Sequence, residues 1–336
     1  MMRLSKCLAA VGAIALVAAW SGAASAQEGA AFFDGKTVNY IVATDPGGGY
    51  DTNGRLVAEF MQKHLPGSTF VVQNMPGAGH LVGTNYIYAS EPDGLTIGTF
   101  NTGLIYSQLA EKEGIKFDLA KMSWIGKVAS DPRVIVVSKE SGIESYEQLA
   151  SLKEPIKFAA AGVGSASTIE ATMLINTLKL PIQVITGYNG SDDQLAMRRG
   201  EVQGIVGSRS TFQQFVDEGH GKFIAQIGGS ETDVPQLSSM VGNNEEALKA
   251  ITLVESQSNI SRLTAGPTGI PADRLAALRD AYKAATSDPD FLKKAESLGL
   301  PIDPLIGDDV GAAVTKAMDQ TPEMVAFLKE ALKKKD

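Results

Sequence analysis

Glycine-rich loops carry the strongest chemical signal in this sequence. Four such loops follow short β-branched runs and precede amphipathic runs: Asp45–Gly49, Pro76–Gly79, Gly162–Gly164 and Gly187–Gly190. Glycine lets a backbone approach a ligand closely, and a helix N-terminus offers unpaired N–H groups with a partial positive charge. Such junctions bind a carboxylate or a phosphate without a basic side chain. The alternative is that they are ordinary turns, which every α/β protein needs.

Polar residues beside these loops match helix starts. Asp51 is expected to cap the first helix. The spacings Ser167-x-x-Glu170 and Ser191-x-x-Gln194 fit a capping box, in which the serine caps the helix and the third residue after it caps back. These patterns place the loops at helix N-termini.

Known nucleotide-binding and catalytic patterns are missing. Val82 stands where a dinucleotide fingerprint starting at Gly77 needs its third glycine, and Ser167 does so for the loop starting at Gly162. The sequence contains no P-loop, no Gly-x-Ser-x-Gly elbow and no His-Glu-x-x-His motif. The adjacent acids Asp192 and Asp193 are most simply first-turn residues that complement the helix dipole. We therefore predict no cofactor, no metal and no enzymatic activity.

The first 26 residues have the pattern of a signal peptide. Arg3 and Lys6 precede an apolar run over residues 7–19, and Ala24-Ser25-Ala26 forms a small-x-small cleavage site. The mature protein is then expected to begin near Gln27 and to reside in the periplasm. A retained N-terminal anchor is the alternative. The single cysteine lies in this segment, so no disulfide is expected in the mature protein.

The charge balance excludes some partners. The whole chain carries a formal charge of −8, and without residues 1–26 it keeps 28 basic and 38 acidic residues, a charge of −10. This argues against nucleic acid and anionic membrane surfaces as partners. It does not argue against an anionic ligand, because helix ends act locally.

Strand and helix patterns alternate, which predicts an α/β fold with mainly parallel sheets flanked by helices. The helix candidates include Thr52–His64, Thr168–Leu178, Ala272–Thr286 and Asp308–Lys329. The length suggests about two domains. Strongly β-prone runs at Val134–Val137 and Ile224–Ile227 are interpreted as lying near two crossings between lobes. The predicted lobes are 27–127 plus 248–336 for lobe 1, and 128–247 for lobe 2.

Several motifs together resemble one receptor family, the tripartite tricarboxylate transporter receptors, also called Bug proteins. The similarity covers nearly all of the chain after residue 26. It is carried by Asp45–Asp51 with Arg55, Gln73–Gly79, Pro92–Gly94, Gly162–Thr168, Gly187–Gly190, Gly200–Val202 and Ala265–Pro271. The resemblance implies a two-lobed, type II-like Venus-flytrap receptor without enzymatic activity. It also implies membrane permease subunits, driven by an ion gradient, as partners, and we expect a monomer.

The resemblance also implies where a small organic carboxylate binds. A proximal site maps onto the loops Gly47–Asp51 and Gly77–Gly79. A distal site maps onto Ser165, Ala166 and Thr168, with Tyr188 and Gly190 nearby. The predicted ligand-binding residues are Gly47, Gly48, Gly49, Tyr50, Asp51, Gly77, Ala78, Gly79, His80, Thr102, Ser165, Ala166, Thr168, Tyr188 and Gly190.

Three positions depart from the usual pattern of the family. Tyr50 replaces a small polar residue, His80 replaces a glycine, and Asn189 stands where lysine is frequent. The expected ligand is therefore a less charged or partly aromatic carboxylate rather than a tricarboxylate such as citrate. Tyr50 is expected to face the cleft, with burial in the core as the alternative. A receptor for a sensor kinase and an anion-dependent lyase remain the alternative functions.

Overall fold

Two β-sheets frame the molecule in the computed structural model, which describes residues 28–333. The strands of the first sheet are β1 (Thr37–Val42), β2 (Thr69–Asn74), β3 (Thr96–Phe100), β4 (Ser123–Ala129), β10 (Ser261–Gly266) and β11 (Leu305–Ile306). The strands of the second sheet are β5 (Arg133–Ser138), β6 (Ile156–Ala160), β7 (Ile182–Thr186), β8 (Gly204–Ser208) and β9 (Gly221–Ile227).

The sheets are mixed rather than mainly parallel. The first has the order β11-β4-β10-β3-β1-β2 and the second β7-β6-β8-β5-β9. Only the pairs of β1 with β2 and β3, and of β6 with β7 and β8, are parallel. The strands beside the crossings, β4, β5 and β10, lie antiparallel to their neighbours. The predicted parallel character was wrong because β5 and β10 enter their sheets from the other sheet rather than through a βα crossover, and β4 pairs with β10. The two-lobed α/β fold is confirmed.

Helices cover both sheets. They are α1 (Gly49–Lys63), α2 (Leu81–Ala89), α3 (Gly103–Leu109), α4 (Tyr146–Ala150), α5 (Ala166–Leu178), α6 (Asp192–Arg198), α7 (Arg209–Asp217), α8 (Leu237–Met240), α9 (Glu245–Ser258), α10 (Ala272–Ser287), α11 (Pro289–Ser297), α12 (Asp308–Met318) and α13 (Pro322–Ala331). The last predicted helix, Asp308–Lys329, is two helices, because Pro322 cannot continue the first and instead opens the second under the Thr321 cap.

Helical periodicity determines how α1 packs. Leu56, Val57, Phe60 and Met61 recur at the spacing of one helix face, and all four are buried. They belong to an apolar cluster with β1 and α10. A larger cluster contains residues of both sheets, among them Phe100 and Phe158. The two lobes therefore share apolar contacts in this structure.

The chain passes between the sheets in two short segments. It leaves the first sheet after Ala129 and enters the second at Arg133, and it returns after α9 to β10. The predicted boundary after residue 127 falls within β4, and the one after residue 247 falls within α9, which packs on α5. We propose lobe boundaries at residues 130–132 and 259–260. Within residues 28–333 no helix is long and apolar enough to cross a membrane. The predicted signal peptide lies outside the described residues.

Candidate ligand-binding cleft

A cleft lies between the two sheets, at the carboxyl ends of their strands. Its walls are the loops that follow β1, β2 and β3 on one side and β6, β7 and β8 on the other. The cavity in this cleft has a volume of about 160 Å³. Strand ends that face a crevice are where ligands bind in open α/β sheets.

Glycines allow the two lobes to touch across this cleft. A Cβ atom on Gly79 would lie 2.3 Å from the backbone N of Gly164 in the opposite lobe. A Cβ on Gly190 would lie 2.6 Å from the carbonyl O of Pro46. Gly79 and Gly190 also have positive φ angles, +65° and +62°, which favour glycine. These glycines are therefore required for close approach between backbones, and the structure shows the lobes closed.

Asp51 braces the proximal loop from outside the cleft. Its carboxylate accepts the N–H of Gly47 at 2.9 Å and the side-chain amide of Asn74 at 2.8 Å, and it pairs with Arg55. Burial opposes ionisation, but these hydrogen bonds hold the pKa of Asp51 below its ordinary value. Neither Asp51 nor Gly47 lines the cleft.

Tyr50 lines the cleft and stacks on an arginine that the sequence did not single out. The Arg262 guanidinium carbon lies 4.3 Å from the centre of the Tyr50 ring. Arg262 also forms a buried ion pair with Asp131 at 3.1 Å and donates to the hydroxyls of Ser210 and Thr211. Tyr50 and Arg262 together form an aromatic and cationic wall that connects the cleft to the crossing segment.

A second arginine lies at the floor of the cleft. Arg133 pairs with the buried Glu170 at 2.6 Å and donates to Ser208 Oγ at 2.7 Å. The predicted capping role of Glu170 was wrong, because its carboxylate points inward to this arginine. Ser165, not Ser167, caps α5 by accepting the N–H of Thr168.

The distal loop is held largely by its own hydrogen bonds. The Thr168 hydroxyl donates to the carbonyl of Gly162 at 3.0 Å, and Thr168 does not line the cleft. The N–H of Ala166 donates to Asn101 Oδ1 at 3.1 Å, which also accepts the N–H of Gly103 at 2.7 Å. Asn101 thus bridges the N-termini of α3 and α5 across the lobes. It occupies the Ala166 amide that the sequence assigned to the ligand.

Three titratable groups complete the lining. Asp193 is buried, and burial raises its pKa to about 7. Asp45 lies at the end of β1. His80 donates from Nδ1 to the carbonyl of Ala43 at 2.9 Å, and burial lowers its pKa, so the ring is neutral and Nε2 is an acceptor. That Nε2 has no partner among the described residues. The predicted Ser191 cap is not formed, since no side-chain hydrogen bond caps α6.

Ten of the fifteen predicted ligand-binding residues line the cleft. They are Gly48, Gly49, Tyr50, Gly77, Ala78, Gly79, His80, Ser165, Tyr188 and Gly190. The five that do not line it are Gly47, Asp51, Thr102, Ala166 and Thr168. The lining also contains polar residues outside this predicted set, among them Thr44, Asp45, Asn101, Arg133, Asp193 and Arg262.

No metal site is evident in the described part of the chain. Among residues 28–333, no cluster of three or more His, Cys, Asp or Glu side chains is placed to hold an ion. The cleft acids are instead distributed over the two lobes.

Comparisons with known proteins place the chain in one family. Residues 54–328 match the model of the family described as "Tripartite tricarboxylate transporter family receptor". A relative from Agrobacterium vitis, a UPF0065 protein in the TAR-I ttuE-ttuC' intergenic region, is 26% identical over 275 residues, covering 78% of this chain and 75% of the relative.

Two solved structures share the fold. The periplasmic binding protein BugD has a TM-score of 0.73 at 22% identity and covers 88% of this chain and 97% of its own. MatC from Rhodopseudomonas palustris with bound malate has a TM-score of 0.70 at 21% identity and covers 89% of this chain and 99% of its own. The family model covers most of the described residues, so this chain belongs to the tripartite tricarboxylate transporter family of receptors.

Proposed function

We propose that the protein captures a small organic carboxylate between its lobes and delivers it to the permease of a tripartite tricarboxylate-type secondary transporter. The observation that carries the proposal is the closed cleft. The N-terminus of the 15-residue helix α1 lines this cleft at Gly48 and Gly49. The first N–H groups of a helix have no intrahelical partner, and they bear partial positive charge. A carboxylate placed there gains hydrogen bonds without a basic side chain.

The size of the cavity agrees with a small ligand. An enclosed volume near 150 Å³ accepts a molecule such as benzene. The cavity of about 160 Å³ therefore suits an acid of about six to nine non-hydrogen atoms. The malate bound to MatC is an acid of this class.

Transport, rather than catalysis, is the proposed role of the closed cleft. We propose that the protein is exported by its N-terminal segment, acts in the periplasm as a monomer and releases its ligand unchanged to permease subunits. Lobe closure is the signal that a permease can recognise, because closure gains contacts that an open form lacks.

A thermal-shift screen of the purified protein against organic acids tests capture. The panel contains propionate, succinate, malate, adipate, β-alanine and aspartate, with sodium chloride as the ionic control. A ligand at one hundred times its Kd stabilises the folded state by about 2.7 kcal/mol, so a binder raises Tm by several degrees. A panel in which no carboxylate raises Tm contradicts the proposed capture. Recovery of a chemically altered ligand contradicts the receptor role.

Delivery is tested separately. Membrane vesicles that contain the permease subunits should accumulate radiolabelled ligand when the loaded protein is added, and they should not do so with free ligand at the same total concentration. Equal uptake of ligand with and without the protein contradicts the delivery part of the proposal and leaves the capture part intact.

A further inference from the structure

The positive side chains of the cleft are already neutralised by the protein. Arg133 is paired with Glu170 at 2.6 Å, and Arg262 is paired with Asp131 at 3.1 Å. Both carboxylates are almost completely buried. Each arginine therefore enters the cleft as part of a neutral pair, and no lysine of residues 28–333 lines the cavity.

The acidic side chains of the cleft, by contrast, have no cationic partner among the described residues. Asp45 and Asp193 line the cavity, and neither forms an ion pair with any described residue. The carboxylate of Asp193 accepts the N–H of the next residue, Gln194, at 2.6 Å and a hydrogen bond from its own backbone. The lining thus presents two carboxyl groups without a cationic partner, and a dianionic ligand brings no positive charge that pairs with them.

Closure brings the two acids to the same cavity from opposite lobes. Asp45 follows β1 of the first sheet, whereas Asp193 lies in the first turn of α6 beside the second sheet. The loop that leads into α6 meets Asp45 directly, because a Cβ atom on Gly190 would lie 3.9 Å from the Cβ of Asp45. Unpaired carboxylates in a desolvated cleft are costly unless a cation or a proton joins them.

His80 adds an acceptor on the same side. Its Nδ1 must carry the hydrogen because it faces the carbonyl of Ala43, so Nε2 of the neutral ring presents a lone pair. This atom is buried and has no partner within the described residues. The charge of Asp45 acts on this ring. His80 Nε2 is therefore a buried acceptor in the cleft lining that a donor on the ligand would satisfy.

We propose that the ligand is a small carboxylate that also carries a protonated amine, with its carboxylate at the N-terminus of α1 and its ammonium group between Asp45 and Asp193. The inference rests on the proposed function, and it narrows the substrate class to amino acids and related zwitterions. An ammonium group supplies three donors and one positive charge, which matches the unpartnered Nε2 of His80 and the two carboxyl groups that have no cationic partner.

Calorimetry with matched ligand pairs tests the inference. β-Alanine differs from propionate, and aspartate from succinate, by one amine in place of hydrogen. One amine-bearing member should bind at least tenfold more tightly than its partner, since a charge-assisted hydrogen bond in a desolvated site contributes about a factor of ten to one hundred. Tighter binding of succinate and propionate than of both amino acids overturns the inference while the proposed function stands. Binding of no acid at all overturns both.

The variants Asp193→Asn and Asp192→Asn locate the effect. Asp192 is the matched control, because it precedes Asp193 on α6 but is exposed and does not line the cavity. Asp193→Asn should lower the affinity for the amine-bearing ligand by about tenfold or more. The affinity for the matched ligand without the amine should be unchanged or higher. Asp192→Asn should leave the affinities of both ligands within about twofold. Equal affinity of wild type and Asp193→Asn for the amino acid overturns the proposed position of the amine.

The pH dependence of ligand affinity tests the inference independently. The elements packed against α6 carry four titratable side chains, Arg133, Lys139, Glu140 and Lys157. Among the described residues, none of these four forms an ion pair with Asp193. Asp192 acts on Asp193 through its charge and raises its pKa further. An ammonium ligand favours the ionised carboxylate, so its affinity should rise up to about tenfold between pH 6 and pH 8. An affinity that falls over this range overturns the inference.

Discussion

Replacing Gly79 by alanine should separate lobe closure from folding. Gly79 has a φ of +65°, and a Cβ at this position would lie 2.3 Å from the N and 2.4 Å from the Cα of Gly164. Ordinary contact begins near 3.4 Å, so the two loops must move apart by about 1 Å. The contact at this point joins backbone atoms of both loops, so no flexible side chain can rotate away to relieve it.

The structure allows the cost of that separation to be estimated. Two hydrogen bonds join the lobes nearby, from the N–H of Ala166 to Asn101 at 3.1 Å and from Lys112 Nζ to the carbonyl of Val163 at 2.9 Å. A shift of about 1 Å breaks both, at about 1 kcal/mol each. Loss of one charge-assisted contact to the ligand adds about 2 kcal/mol. The total of about 4 kcal/mol corresponds to a roughly thousandfold higher Kd.

Gly299→Ala is the matched control. Gly299 has the same φ of +65°, and nothing lies within 4 Å of a Cβ built there. Both variants should lose about 1–2 kcal/mol of stability from the left-handed alanine, but only Gly79→Ala should lose affinity. Calorimetry with the tightest ligand of the thermal-shift panel measures the difference. If the two variants bind this ligand equally well, the lobes do not close through the Gly79 contact.

Three further changes follow from the cleft. Tyr50→Ala should weaken ligand binding about tenfold in calorimetry, whereas the unliganded protein should lose only about 1–2 kcal/mol because the half-buried ring contributes mainly its stack on Arg262; a larger loss of stability means that Tyr50 is a core residue. Glu170→Gln leaves Arg133 buried without its counter-charge and should lower the free energy of unfolding by about 3–5 kcal/mol in urea titrations; an unchanged midpoint contradicts a structural pair. Asp193→Asn should raise the Tm of the unliganded protein, with the pKa of the wild-type carboxyl near 7 when folded and near 3.8 when unfolded. The pKa of the folded state is the higher one, so the wild type loses stability as pH rises between these two values. The stability that the variant gains over the wild type should be absent at pH 4, grow to a few kcal/mol above pH 7 and remain there. A stability gain that does not depend on pH refutes the burial argument.

The sequence predicted the parts of the site that backbone chemistry determines. Recurring glycines at strand-to-helix junctions indicate from the local sequence where a ligand could bind, and the resemblance to the receptor family implies the individual positions Gly48, Gly79 and Gly190. The apolar spacing of Leu56 and Phe60 likewise placed the buried face of α1. The position of the loops and the buried face of α1 depend on local conformation and periodicity, which are properties of short segments.

The side chains that set the charge of the cleft were beyond such reasoning. Arg262 meets Tyr50 across 212 positions of sequence, and Arg133 meets Glu170 only after β5 and α5 pack together. Thr168 was assigned to the ligand, but its hydroxyl turns back to the carbonyl of Gly162. Which partner a polar side chain chooses depends on tertiary distance, and one sequence does not report that distance.

Small-angle scattering of the wild-type protein with and without a bound carboxylate tests the central claim most directly. Capture between lobes requires the closed arrangement in which Gly79 meets Gly164 and Gly190 meets Pro46. A saturating concentration of the tightest acid in the panel should therefore reduce the radius of gyration, and the same acid should leave that of Gly79→Ala unchanged. Tight binding in calorimetry with no compaction of the wild type would contradict capture by closure.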